Sequence, residues 1–213
     1  MKTALFDLDG TLIDSRADLA LAVNLVRHDF GLPPKTVEEV IACVGEGVRV
    51  LVERAIPERP EQWDAMLARQ RTHYLAHCLD HTALYPGVPE TLRALRAAGW
   101  RLAVVTNKPG PVTRQILEGL GVLGEFGAVV GGGDCPVLKP DPAPLRLAAA
   151  QLGVTLDAQD WMIGDNVTDL EAGRRAGVKR CFCRYGFGEA RSAGYELAVD
   201  RIDHFFTQAS ALG

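Results

Sequence analysis

Two acidic residues, Asp7 and Asp9, follow an apolar segment at the start of the chain, and Gly10 and Thr11 come directly after them. Because side chains alternate faces along a strand, we expect Asp7 and Asp9 to point the same way at its end. Gly10 permits a sharp turn there, since glycine adopts backbone conformations that other residues avoid. No basic residue stands beside the two acids in the sequence, so their negative charges repel each other. The pattern predicts a cation site, and Mg²⁺ fits it because this ion prefers oxygen ligands and takes one or two carboxylates together with phosphate.

This acid pair also suggests a division of chemical work. One carboxylate can act as a nucleophile while the other gives and takes a proton. Asp and Gly are also common in turns, so an ordinary polar turn at the end of a strand is the alternative interpretation.

Further polar groups come at corresponding places later in the chain. Thr106 and Asn107 follow an apolar strand, and Asp165 follows another, with Asp169 four residues later on a predicted helix. Residues four apart lie on the same helix face, so Asp165 and Asp169 can face one pocket. Lys139 lies just before a proline that restricts the local backbone, and its point charge suits a transferring phosphoryl group. A turn, a helix cap and a solvated lysine would each explain one of these features, but their joint occurrence favours phosphoryl transfer.

The order of helices and strands predicts the fold class. Strands separated by helices, as found after residue 85, indicate a parallel sheet with right-handed crossovers. We predict an α/β fold with a Rossmann-like parallel sheet core, residues 1–13 and 85–213, and helices on both faces. Residues 14–84 are predicted to form an inserted all-helical cap domain of four helices, which leaves the end of the first strand and has the position of a lid over the ligand site. The predicted later strands are 101–106, 128–130, 161–164 and 180–184, and the last predicted helix is 202–212.

Composition excludes several classes of function. The net charge of -4 offers no positive surface for nucleic acid, and no apolar run approaches the roughly 20 residues that span a bilayer. The five cysteines are odd in number and form no C-x-x-C pair, which supports neither a disulfide framework nor a zinc site. The start lacks the pattern of a signal peptide. We therefore expect a cytoplasmic protein, a monomer or homodimer, without nucleic-acid or membrane partners.

The motifs together resemble those of the haloacid dehalogenase superfamily of aspartate-nucleophile phosphatases, over essentially the whole chain. The matching motifs are Asp7-x-Asp9-Gly10-Thr11, Thr106-Asn107, Lys139-Pro140 and Gly164-Asp165-x-x-x-Asp169. Residues 44–55, which include Gly45-Glu46-Gly47, are similar to the cap segment of the phosphoglycolate phosphatase branch. One departure is Asn166, where many members of that branch have serine.

This resemblance implies a role for each motif residue. Asp7 would attack phosphorus and form an aspartyl-phosphate, and Asp9 would protonate the leaving alcohol and later activate water. Thr106 and Lys139 would hold the phosphoryl oxygens, while Asn107 would position the substrate.

The resemblance also implies a metal site and a binding loop around the phosphate. Asp7, the backbone carbonyl of Asp9 and Asp165 would coordinate Mg²⁺, with Asp169 in support. Gly10 and Thr11 are assigned to substrate binding.

The substrate expected from this branch is a small phosphorylated metabolite, in the first place 2-phosphoglycolate. The loop Gly45-Glu46-Gly47 and Arg49 would then offer backbone N–H groups and a cation to the substrate carboxylate. Alternatives are a phosphatase for a sugar phosphate or pyrophosphate, a phosphosugar mutase, and a phosphate-binding regulator without activity. A dehalogenase would lack the acid at Asp9, and a phosphonate hydrolase needs a cap lysine, for which Lys35 is the only candidate.

The histidines His73, His77 and His81 recur every four residues and could stack along one helix face. That spacing can bind a metal, but no acid or thiol completes a ligand set. A solvated or packed face is the favoured interpretation.

Overall fold

The chain forms two compact units, which the computed structural model describes over residues 2–211. The described residues up to Asp14 and from Leu84 onward form the larger unit, and Ser15–Ala83 form the smaller one. These limits lie one residue from the predicted ones. Within the described residues, no helix is long and apolar enough to cross a membrane.

A six-stranded parallel sheet lies at the centre of the larger unit, with strand order β5-β4-β1-β6-β7-β8. The strands of the chain are β1 (Thr3–Phe6), β2 (Ile13–Asp14), β3 (Ala83–Leu84), β4 (Arg101–Pro109), β5 (Ala128–Gly132), β6 (Trp161–Gly164), β7 (Lys179–Cys183) and β8 (Leu197–Val199). The short strands β2 and β3 form a separate two-stranded sheet. The predicted α/β fold with a parallel sheet is confirmed.

Nine helices are described in the two units. The smaller unit contains α1 (Arg16–Asp29), α2 (Val37–Ile41), α3 (Val48–Ala55) and α4 (Trp63–His77). The larger contains α5 (Val88–Ala97), α6 (Gly110–Gly119), α7 (Ala143–Gln151), α8 (Val167–Ala176) and α9 (Asp203–Ala211). The last predicted helix, 202–212, corresponds to α9, and residue 212 lies outside the described part of the chain.

Helices cover both faces of the sheet. Successive strand residues point to opposite sides, so buried side chains of one strand pack against helices on both faces. Leu5 and Met162 pack in a core cluster with residues of α7 and α8. Phe6 and Trp161, their neighbours along the strands, instead contact Phe205 of α9 edge to face. A sheet buried on both faces needs continuous apolar strands, and all residues of β1 and β6 are buried.

The structure differs from the predicted strands at several places. Strand β5 extends to Gly132 instead of ending at residue 130, and β7 spans Lys179–Cys183 instead of 180–184. Strand β4 continues to Pro109 instead of ending at Thr106, and its pairing with β5 shifts register between Val105 and Pro109. Strands β2, β3 and β8 were not predicted, because two or three residues are too few to show a period.

Phe205 provides a test of the core on the α9 face. Its ring lies 6.3 Å from Phe6, 6.0 Å from Trp100 and 5.5 Å from Trp161, measured between centroids, and the residue is fully buried. Phe205→Ala should lower the free energy of unfolding by about 3–5 kcal/mol in urea denaturation, because it leaves a cavity among three rings. Phe206→Ala, a control at a partly exposed neighbour, should cost less. Equal losses from the two variants would contradict this packing.

Candidate active site

Three carboxylates meet at the carboxyl edge of the sheet. Asp7 follows β1 and Asp165 follows β6, and these two strands are neighbours. Asp169 lies in the first turn of α8. One oxygen of each carboxylate lies within 4.8 Å of the others, and all three residues are buried. The structure thus brings together three of the four acids that the sequence assigned to the site.

Lys139 joins two of these carboxylates. Its Nζ atom donates hydrogen bonds to Asp7 Oδ1 at 2.8 Å, to Asp169 Oδ1 at 2.6 Å and to the Val105 carbonyl at 2.5 Å. Burial lowers the pKa of Lys139, but the carboxylates of Asp169 and Asp7 more than offset this and raise it above its usual value. The ammonium is therefore charged, and its three N–H groups are directed at three acceptors.

Asn107 holds the main chain of Lys139. Its side-chain amide donates to the Lys139 carbonyl at 2.9 Å and accepts from the Lys139 N–H at 2.8 Å. Because these two bonds fix the backbone from which Lys139 projects, Asn107 positions the lysine. Its predicted contact with the substrate stays a prediction.

Asp165 is held by a loop that sequence reasoning missed. Its Oδ2 atom accepts from the backbone N–H groups of Phe187 at 2.9 Å and Gly188 at 2.8 Å. Burial raises the pKa of Asp165 well above its usual value, and the charges of Asp7 and Asp169 add to this effect. The Gly-x-Gly sequence at 186–188, directly after a predicted strand, was the available signal.

Two glycines allow the close approach of main chain to Asp165. A Cβ atom on Gly10 would overlap the Asp165 carboxylate, and Gly10 also has a positive φ of +81°. A Cβ atom on Gly186 would overlap both Asp165 and the Gly10 carbonyl. The structure thus places Gly10 against a candidate metal ligand, whereas its predicted substrate contact stays a prediction.

Asp169 is oriented by the start of its own helix. Its Oδ2 atom accepts from the Asn166 N–H at 3.0 Å, while Asn166 Oδ1 accepts from the Thr168 N–H at 3.2 Å. Asn166 and Asp169 form a capping box, in which the side chain of each accepts from the backbone N–H of the other, so Asn166 serves as the helix cap here. Burial raises the pKa of Asp169 to about 7, against the opposing effect of Lys139.

Asp9 pairs with a lysine that was not predicted. Lys108 Nζ donates to both Asp9 carboxylate oxygens at 2.9 Å. The sequence assigns Lys139 alone to this group of acids, and the structure adds Lys108: Lys139 contacts Asp7, and Lys108 contacts Asp9. Sequence proximity could not reveal this, since Lys108 lies on a different strand. The predicted metal contact of Asp9 involves its backbone carbonyl and stays a prediction.

The two threonines of the motifs are both buried. Thr106 Oγ1 accepts from the Lys108 N–H at 3.3 Å. Thr11 is fully buried, its carbonyl accepts from the Tyr185 hydroxyl at 2.7 Å, and its Oγ1 has no hydrogen-bond partner among the described residues. Their predicted contacts with substrate stay predictions.

The candidate residues of the smaller unit make salt bridges within that unit. Gly45 and Gly47 have positive φ angles on either side of Glu46, and the Glu46 carboxylate pairs with Arg54 at 2.8 Å. Arg49 pairs with Asp64 at 2.6 Å, and its side chain is 55% exposed. Substrate binding by this loop and by Arg49 stays a prediction.

Two of the three candidate metal-binding histidines contact single carboxylates. His73 lies 2.8 Å from Asp29 and His77 lies 2.8 Å from Asp80. Among the described residues, Asp7, Asp165 and Asp169 are the one group of three such side chains whose ligand atoms lie within 4.8 Å of one another.

That cluster has the chemistry of a divalent-cation site. Three buried carboxylates face one another with Lys139 as the cation that contacts two of them. Oxygen donors at this density suit a hard cation. Burial, together with the charges of Asp7 and Asp169, raises the pKa of Asp165, and a bound cation would oppose this effect. The residues present therefore fit a divalent metal.

Comparison with known proteins identifies the family. A model of haloacid dehalogenase-like hydrolases matches residues 4–183. The chain belongs to this family. It is 37% identical to the phosphoglycolate phosphatase of Chromobacterium violaceum, over 97% of this chain and 95% of the relative. It is 36% identical to that of Aquifex aeolicus, over 94% of this chain and 93% of the relative.

Among solved structures, a fold of the same extent is found in a predicted phosphoglycolate phosphatase from Haemophilus somnus. The TM-score is 0.91 at 30% identity, and the match covers 98% of this chain and 97% of the other.

Gly186 tests how the structure holds Asp165, a candidate metal ligand. Gly186→Ala must displace Asp165 or the Gly10 carbonyl, so affinity for Mg²⁺ should fall about 10- to 100-fold, as for other groups that orient metal ligands. Isothermal titration of the folded protein with Mg²⁺ measures this change. Gly124→Ala is the matched control, because its Cβ atom would meet nothing within 4 Å. Unchanged affinity in Gly186→Ala would contradict the proposed role of the loop.

Proposed function

We propose that the protein is a Mg²⁺-dependent phosphatase that hydrolyses 2-phosphoglycolate to glycolate and phosphate through an aspartyl-phosphate. The observation that carries the reaction class is the buried cluster of Asp7, Asp165 and Asp169 with Lys139 between two of its members. Membership of a hydrolase family supports it, and so do the names of relatives that match most of their own length.

Asp7 is the proposed nucleophile. Lys139 holds its Oδ1 atom at 2.8 Å, which orients the carboxylate and brings a positive charge to the place where phosphoryl oxygens would lie. An Asp7 oxygen forms the bond to phosphorus while the bond from phosphorus to the glycolate oxygen breaks. Water then attacks the aspartyl-phosphate and regenerates Asp7. Such transfers depend mainly on positioning and charge stabilisation, which this arrangement provides.

Asp9 is the proposed general acid and base. It donates a proton to the departing glycolate oxygen and later accepts one from the attacking water. Its contact with Lys108 fixes the orientation of its carboxylate. Thr106 and Lys139 are proposed to hold phosphoryl oxygens.

Mg²⁺ is the proposed metal. Asp7, Asp165 and Asp169 would hold it together with the backbone carbonyl of Asp9, and the bound ion would neutralise charge on the phosphate and the carboxylates. Asp165 is kept in place for this by the N–H groups of Phe187 and Gly188.

The remaining expectations from the sequence are part of the same proposal. They comprise a lid function for the helical unit, substrate contacts from Gly10, Thr11 and the 45–47 loop, a cytoplasmic location, and a monomer or homodimer. A preference for hexose phosphates or pyrophosphate would assign a different substrate to the same machinery.

Replacing the nucleophile tests the mechanism. Asp7→Asn should lower kcat on 2-phosphoglycolate by more than about a thousandfold, because an amide cannot form the covalent intermediate. Steady-state phosphate release measures this, and Asp200→Asn, on the exposed surface, is the matched control. Turnover by Asp7→Asn at a rate comparable to the wild type would exclude the proposed covalent route.

Metal removal tests the second part of the proposal. Excess chelator should abolish phosphate release, and added Mg²⁺ should restore it, because the clustered carboxylates and the phosphate otherwise repel one another. p-Nitrophenyl phosphate serves as the substrate, so the result does not depend on the natural one. Full activity in excess chelator would refute a metal-dependent site.

A further inference from the structure

Lys108 is a buried lysine at the site to which the family motifs assign no role. Its side chain is 4% exposed, and its Nζ atom lies 2.9 Å from both oxygens of Asp9. A buried ammonium is costly unless it meets negative charge, and Asp9 supplies that charge to Lys108.

The local backbone directs Lys108 to this place. The register of β4 against β5 shifts between Val105 and Pro109, which changes the simple alternation of side chains along the strand. The Lys108 N–H donates to Thr106 Oγ1 at 3.3 Å, and the Lys108 carbonyl accepts from Thr113 Oγ1 at 3.4 Å. The main chain on both sides of the lysine side chain is thereby held.

The two lysines of the site have different surroundings. Lys139 donates to two carboxylates and a carbonyl. Lys108 Nζ donates to both oxygens of the Asp9 carboxylate. The Lys139 ammonium contacts two carboxylates at once. A substrate carboxylate bound to Lys108 would give Lys108 the same arrangement.

We propose that Lys108 binds the carboxylate of the substrate's leaving group and so determines specificity for short acidic phosphate esters. This inference rests on the proposed function, in which Asp9 protonates the oxygen that links phosphorus to glycolate. In 2-phosphoglycolate the carboxylate carbon is two bonds from that oxygen. A cation in contact with Asp9 is therefore within reach of the carboxylate when Asp9 contacts the ester oxygen.

Burial favours Lys108 over Arg49 for this role. Arg49 is 55% exposed on its side chain and already pairs with Asp64 and Glu53. Water screens a charge pair at such an exposed position, whereas a charge-assisted hydrogen bond to a desolvated ammonium is considerably stronger. The energetically larger contact with a substrate carboxylate is thus the one at Lys108.

The test compares 2-phosphoglycolate with 2-hydroxyethyl phosphate, a neutral-ended ester of similar length. Wild type should have the higher kcat/KM for 2-phosphoglycolate. Lys108→Met should reduce the ratio of the two kcat/KM values by roughly 10- to 150-fold, the range expected for a hydrogen bond to a charged group. Lys179→Met, the same substitution at the amino end of β7, should leave the ratio unchanged.

Lys108→Gln separates recognition of charge from orientation of Asp9. Its amide can still donate a hydrogen bond to Asp9 but carries no charge, so it should lose the preference for the acidic ester as Lys108→Met does. Circular dichroism shows whether each variant folds. If Lys108→Met does not fold, Lys108→Gln alone tests the inference.

The outcomes are distinguishable. A wild type without preference for 2-phosphoglycolate contradicts the proposed function, and with it this inference. A wild type with the preference, whose Lys108 variants lose kcat/KM equally for both esters, overturns the inference alone and leaves Lys108 as a positioning residue for Asp9. Loss of the preference in Arg49→Met, with its retention in the Lys108 variants, would also overturn it.

Discussion

The arrangement of the site depends on the Lys139 ammonium between Asp7 and Asp169. Three buried carboxylates, of Asp7, Asp165 and Asp169, lie together at one edge of a sheet whose strands are buried. Without a fixed cation their repulsion and desolvation would oppose folding. The Lys139 side chain is 1% exposed and bonds to two of these acids, so it compensates charge where water cannot. Asn107 bonds to the Lys139 backbone and so holds the lysine in the position from which it contacts the two acids.

The parallel sheet brings these distant residues together. In a parallel sheet all carboxyl ends lie on one side, so residues that follow β1 and β6 meet residues in the last part of β4 without any long-range motif in the sequence. The loops after β5 and β7 add Lys139 and the N–H groups of Phe187 and Gly188. The fold thus supplies negative charge from strand ends and supplies positive charge and N–H donors from the adjoining strand and loops.

Much of this was predictable because each functional acid follows an apolar run. The strands that lead to Asp7 and Asp165 are continuous apolar segments, and β6 has the bounds that the sequence predicts. The helix after Asp165 was predictable from its cap, Asn166. By contrast, Lys108 depends on a register shift inside β4, which leaves no periodic signal. The contacts of Gly186 with Asp165 depend on how a loop folds back after β7, and this too requires the tertiary structure.

Asp7 is the proposed acceptor of the phosphoryl group, and Lys139 orients its carboxylate. The most direct measurement is a rapid acid quench during turnover of 2-phosphoglycolate, followed by mass spectrometry of the peptide that contains Asp7 and Asp9. We predict one phosphoryl group on that peptide, located on Asp7 by fragmentation, which appears before the steady state and disappears when substrate is exhausted. Phosphate on Asp9 or on another residue, or turnover without a phosphorylated peptide at any quench time, would contradict the account.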